Sequence, residues 1–201
     1  MKKNGILDVK YSLTQILYFA SFSALMGYAS VYLLDKGVSN SVIGTTLALV
    51  SIIAVFTQPM AGSAVDKKVI RLQPFIIVIV ALAVILSLCL YFFKLPTMIL
   101  LCVFVGVVTC MMTIQPLLNS LAFLFEKYGI EVNYGLARGL GSAAYALASA
   151  VLGYLVEDFG TSMIPLFYII GNILLIVVVY TYVVPKNQRH VVHREENQHE
   201  E

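Results

Sequence analysis

Tryptophan is absent from this sequence, and charge is scarce. Only 12% of its 201 residues are Asp, Glu, Lys or Arg, about half the share of an ordinary soluble domain. Hydrophobic residues make up 60% of the chain, and the mean hydropathy is +0.89. Such a composition cannot cover a water-exposed surface, so it points to an integral membrane protein. Cysteine is nearly missing too. Cys89, Cys102 and Cys110 all fall in apolar runs and read as small buried hydrophobes, not as a disulfide framework. All three histidines lie in the last dozen residues. The chain has no H-E-x-x-H, no G-x-S-x-G and no glycine-rich phosphate loop after a strand. No enzymatic activity, cofactor or metal site is expected.

What is present is a series of long apolar runs. A bilayer core about 30 Å thick needs about 20 helical residues per crossing. Six segments qualify, at about 11–34, 42–65, 72–93, 97–124, 133–156 and 162–184. The first is longer than the apolar core of a signal peptide and is followed by further spans. The breaks "DKGVSNS", "DKKVIR", "KLP", "EKYGIEV" and "EDFGTS" are short, which makes successive spans antiparallel. These spans contain no Asp, Glu or His.

Orientation follows from the basic residues. Lys2, Lys3 and Lys10 precede the first span, Lys67, Lys68 and Arg71 follow the second, Lys127 follows the fourth, and Lys186, Arg189 and Arg194 follow the sixth. The opposite side carries Lys36 and Lys94 with the acidic Glu157 and Asp158. Residues 1–10 and the polar tail 185–201 are therefore expected in the cytoplasm of a cell with the bundle in its inner membrane. The tail's "HVVH" has no further ligands and reads as part of a solvated, unpatterned linker.

One cation stands inside a span, Arg138 in "NYGLARGLGSAAYALAS". At helical spacing Arg138, Ser142, Tyr145 and Ser149 form a polar stripe, and Gly139, Ala143, Ala146, Ala150 and Gly153 a neighbouring stripe of small residues. The small stripe suits close contact with another helix. Two readings of Arg138 stand beside each other. It can snorkel from roughly 10 Å deep to the headgroups, or it can face the interior, where ionisable residues mark solute pathways. In the fourth span Gln115 and Asn119 share a face, and Pro116 lies where it can bend the helix. Asn119 offers an amide partner at the depth of Arg138, or simply a bond to a neighbouring helix. An aromatic face beside such donors suits a polyhydroxylated or heterocyclic ligand, although Tyr145 also fits as a packing residue.

Between the second and third spans, "QPMAGSAVDKKVIR" resembles the cytoplasmic signature of the major facilitator superfamily. Gly62, Asp66, Lys67 and Arg71 match its glycine, acidic and basic positions; Val69 replaces a second glycine and Ile70 a frequent cation. "MG" at 26–27, "QP" at 58–59, "PLLN" at 116–119 and "YGLARGLGSAAYALAS" are similar to the lactose-permease-like branch of proton-coupled sugar and nucleoside carriers. The resemblance implies an all-α membrane protein. Its six transmembrane helices would form two three-helix repeats, the N-terminal half of a major-facilitator fold. It also implies transport of a small polar solute, sugar- or nucleoside-like, by proton-coupled alternating access together with a second six-helix half. That half is a separate protein, a lost segment or another copy of this chain.

By position, the resemblance makes Arg138 the ligand of substrate hydroxyls, Tyr145 the aromatic platform and Met26 part of the cavity wall, with Gln115 and Ser142 beside them. Asn119 stands where that branch has a glutamate paired with the arginine, so Arg138 lacks its usual counter-ion. The alternative is a membrane protein that does not transport and docks a partner on the exposed inner face, or an inactive fragment.

Overall fold

The computed structural model describes residues 2–3, 5–67, 70–126 and 129–182. The polar tail, its histidines and the cations Lys68, Lys127, Lys186, Arg189 and Arg194 lie outside the described residues. The described chain is helical: α1 (Gly5–Phe22), a π-helical turn (Ser23–Gly27), α2 (Ala29–Asp35), α3 (Asn40–Asp66), α4 (Leu72–Phe92), α5 (Thr97–Glu126), α6 (Tyr134–Phe159) and α7 (Met163–Tyr180). Two short strands, β1 (Lys2–Lys3) and β2 (Ile130–Glu131), pair in parallel. Among the described residues, five helices are long and apolar enough to cross a membrane, or six when the bent pair Gly5–Gly27 and Ala29–Asp35 is one span.

Each boundary has a local cause. Gly37, Gly129 and Gly160 take positive φ after α2, before β2 and at the end of α6, a backbone state nearly closed to residues with a Cβ. Asn133 caps α6 by accepting from Leu136 N–H at 3.1 Å, and its own N–H donates to Asp8 Oδ1 at 2.8 Å. At the same end of the bundle, Lys10 Nζ donates to Thr181 O at 2.9 Å and Gln73 Nε2 to Val179 O at 2.8 Å and Tyr180 O at 3.2 Å, side-chain bonds to the last carbonyls of α7 and its cap. Pro59 and Pro116 lie inside α3 and α5, which run on through them without a break.

The break in the chain's course comes where no proline stands. The two parts of the first span meet at 45° at Tyr28, directly after the π-helical turn. Such a turn carries an extra residue per loop of helix and is a recognised cause of sharp kinks. Ser23 Oγ adds a bond back to Ala20 O at 2.8 Å.

α1 packs on α6 and α7, α5 on α3 and α4, and α4 on α7. Buried polar pairs tie these contacts: Thr57 and Thr113 hydroxyls at 2.9 Å, Tyr32 OH donating to Leu90 O at 3.1 Å, and Tyr18 OH donating to Met111 O at 3.2 Å. The core is aliphatic and aromatic, with Tyr18, Phe104, Ile76, Leu118 and Tyr168 fully enclosed. The outside is also apolar. Leu49, Ile52, Phe56, Leu82, Ile85, Leu147, Tyr154 and Val177 are exposed, a distribution that suits lipid as the solvent.

Candidate functional site

Arg138 is the fifth residue of α6, because the helix begins at Tyr134 and residues 130–131 belong to a strand. It lies about 6 Å along the helix at about 1.5 Å per residue, shallower than a helix starting at residue 131 would place it. From there the side chain turns inward. Its Cζ lies 4.3 Å from the ring centroid of Phe19 on α1, well within cation–π range. With the Gln115 amide turned so that its oxygen faces the guanidinium, the orientation that satisfies both groups, Oε1 accepts from Nη2 at 3.1 Å and Nη1 at 3.3 Å. The cation is thus held by a ring on α1 and an amide on α5, and is half-buried. Insertion scales charge about 2.5–3.5 kcal/mol for a mid-span arginine. Hydrogen bonds from a charged group, each worth about 1.5–3 kcal/mol, and the ring contact, about 0.5–2 kcal/mol, are large enough to offset that.

Asn119 is one turn beyond Gln115 on α5 and is also half-buried, but its oxygen is directed to another group. Gln15 Nε2, on the buried face of α1, donates to Asn119 Oδ1 at 3.4 Å and to Tyr11 OH at 2.9 Å. The amide that meets Arg138 is therefore Gln115, with Asn119 in the adjoining chain of bonds across the α1–α5 contact.

Ser142 is exposed, and its hydroxyl donates back to Arg138 O at 3.3 Å, along its own helix. Tyr145, two turns beyond Arg138, is half-buried with its ring centroid 6.1 Å from that of Phe22. Its hydroxyl comes up to Gly27: a Cβ added there would lie 3.1 Å from it. Beside it, Tyr28 OH donates to Ser149 O at 2.7 Å. The kink of the first span is thus latched to α6 through a glycine and a tyrosine. Met26 sits in the π-helical turn, half-buried against the core.

The stripe of small residues on α6 is not the surface that meets α1. Gly139, Ala143, Ala146 and Ala150 are exposed, and a Cβ at Gly139 would meet nothing within 4 Å. The contact uses Ala137, Gly141, Ala148 and Leu152, on the other flank of the polar stripe. At Gly141 the fit leaves no room, since a Cβ would stand 2.6 Å from Phe19 Cδ2 and 3.3 Å from Gln15 O. Only a residue without a side chain lets Phe19 lie where it supports the guanidinium.

Gly62, Asp66, Lys67 and Arg71 surround the α3–α4 break. Asp66, Lys67 and Arg71 are exposed, and nothing lies within 4 Å of a Cβ at Gly62. Among the described residues no ion pair engages Asp66. Whatever these residues contact lies beyond this bundle's own described helices.

Gln15 and Phe19 are the site residues that sequence reasoning missed. They stand four apart, in register with Tyr11 and close to Phe22, so a polar-aromatic stripe along the first span was the available signal.

A family model described as the MFS_1 like family matches residues 9–201. No curated protein and no solved structure matches the chain. The family points to a membrane transporter, and the apolar helices agree with a multi-pass membrane protein. The chain belongs to the MFS_1 like family and is a multi-pass membrane protein related to the major facilitator transporters.

Proposed function

We propose that this chain forms one six-helix half of a carrier for a small polar solute, sugar- or nucleoside-like, of the lactose-permease-like branch. Arg138, Gln115, Asn119, Tyr145, Ser142 and Met26 line its share of the cavity. The observation that carries the reading is the inward course of Arg138, held by Gln115 and Phe19 on the face that also presents Ser142 and Tyr145. A cation placed only to anchor the helix at the headgroups has no need of that arrangement.

Alternating access needs a second six-helix half. The exposed small-residue stripe of α6 and the open space over Gly62 suit its close approach. The helix pairing supports two three-helix repeats: exchanging the first three spans for the last three turns the α1–α6 and α1–α7 contacts into α5–α3 and α5–α4, and leaves α4–α7 unchanged. Asp66 and the adjacent cations would then lock one state against the other half from the basic, cytoplasmic side of an inner membrane. Proton coupling falls to the second half, because the six spans offer no carboxylate or histidine.

The test is solute uptake into vesicles holding this chain alone and with a candidate second half. Uptake abolished by Arg138→Ala with the protein still inserted supports the reading. Uptake unchanged by that substitution rejects the site.

A further inference from the structure

Resting on that reading of the site, we infer that the solute carries an oxyanion, a carboxylate or a phosphate, and that Arg138 is its counter-ion. Three observations on this chain lead there. The first is charge. The guanidinium has only neutral partners, the Gln115 amide and the Phe19 ring. Among the described residues the one ion pair is Lys36 with Asp35, at the end of α2. Within the six spans no acidic residue exists to balance it. A cation in a low-dielectric interior without a counter-charge attracts an anion far more strongly than it would in water.

The second is the hydrogen-bond inventory around it. The two amide oxygens on the α5 face are occupied by internal donors, Gln115 Oε1 by Arg138 and Asn119 Oδ1 by Gln15. Three of the five guanidinium N–H groups and the Asn119 Nδ2 hydrogens bond to nothing among the described residues, and the acceptors beside them are the Ser142 and Tyr145 hydroxyls, with no carboxylate. A neutral sugar presents as many donors as acceptors and uses this surplus of donors less fully. A carboxylate or phosphate presents acceptors only and matches the fork of an arginine.

The third is access. Arg138 and Asn119 are both half-buried, and Ser142, one turn along, is exposed, so the site is not sealed inside the bundle.

The test is reaction of arginine with phenylglyoxal, read site by site by mass spectrometry, on the full chain in phosphatidylcholine vesicles. Glucuronate and glucose are the paired probes, since they differ by one carboxylate, and inorganic phosphate is the third. Exposed Arg71 is the internal reference. Glucuronate or phosphate should slow modification of Arg138 about tenfold at about ten times its Kd, because protection scales as 1 + [L]/Kd. Glucose should not protect at the same concentration, and Arg71 should not respond. In Gln115→Glu, which sets a carboxylate against the guanidinium, protection by the anions should disappear.

Protection by glucose equal to that by glucuronate overturns the anion and leaves Arg138 as a solute ligand. Protection by none of the three, with Arg138 as reactive as Arg71, overturns the anion as well. An Arg138 inert with no probe present sinks the cavity itself, and the proposed function with it. Protection that appears on adding phosphatidylglycerol, with no soluble anion, would assign the charge to lipid headgroups and overturn a soluble solute.

Discussion

Gly141→Ala is the smallest change that should disturb the site without touching a polar group. A Cβ at this position would lie 2.6 Å from Phe19 Cδ2 and 3.3 Å from the backbone oxygen of Gln15. Ordinary carbon–carbon contact begins at about 3.5 Å, so the ring must yield by about 1 Å. The backbone oxygen cannot swing aside as a ring can, so it presses on α1 itself. Overpacking of this kind costs about 1–3 kcal/mol. The same ring lies under the Arg138 guanidinium at 4.3 Å, so its displacement forfeits a further contact of about 0.5–2 kcal/mol. Alanine's better helix propensity returns up to about 1 kcal/mol.

Gly139→Ala controls for that last term, because its Cβ meets nothing within 4 Å. In a titration of the folded chain from mild detergent into SDS, Gly141→Ala should be less stable than Gly139→Ala by about 1.5–5 kcal/mol. Phe19→Leu should recover part of the loss in a double-mutant cycle. Equal stability of the two alanine variants, or a Phe19→Leu effect that simply adds, would refute the packing described for this contact.

Two other outcomes follow from the ends and the kink of the first span. Tyr28→Phe deletes the 2.7 Å bond to Ser149 O, and should destabilise the chain by about 1 kcal/mol in the same titration. It should also quicken backbone amide exchange at residues 23–28, and unchanged exchange there would count against the latch. At the other end of that span, the Thr161 hydroxyl, and after it Lys36, hold the Asp35 carboxyl below its usual range. A depressed folded pKa means stabilisation that is present above the unfolded carboxylate value and is lost as pH falls through the lower folded one. Thr161→Val should move the Asp35 midpoint upward by carbon-13 aspartate NMR; a midpoint that does not move removes the Thr161 bond from the account.

Much of the helical frame could be read from the chain itself, because lipid demands long apolar runs and the polar breaks between them are short and charged. Asp35, Lys36 and Gly37 end α2, and Asp66 and Lys67 end α3, where charge and turn residues interrupt the apolar run. The interior of the first span was less legible. Its 45° kink falls at Tyr28, just after the π-helical turn Ser23–Gly27, and not at a proline, and Pro116, the visible candidate for a bend, stands in an unbroken helix. A proline in a long span can be accommodated by its neighbours, whereas a π-helical turn has no comparable residue signature. Periodicity on α6 identified the polar stripe, but could not choose which flank of it meets α1. The small residues on one flank looked suited, yet Gly141 on the other is where Phe19 fits. Partner choice around Arg138 was also beyond a single-helix argument. Gln115 and Asn119 share a face, and Gln15, from a third helix, decides which of them is left for the guanidinium.

The most direct measurement concerns what the Arg138 face of α6 looks onto once the chain is in a bilayer. Single cysteines at Ser142, on that face, and at Leu147, exposed on the opposite one, can each be introduced after replacing Cys89, Cys102 and Cys110 by alanine. Reaction with a membrane-impermeant maleimide in sealed vesicles then reports water at each position. A water-lined path predicts rapid labelling of Ser142→Cys from one side of the membrane and little or none of Leu147→Cys. Labelling of Leu147→Cys with Ser142→Cys silent, or silence at both, would contradict a solute cavity on the Arg138 face.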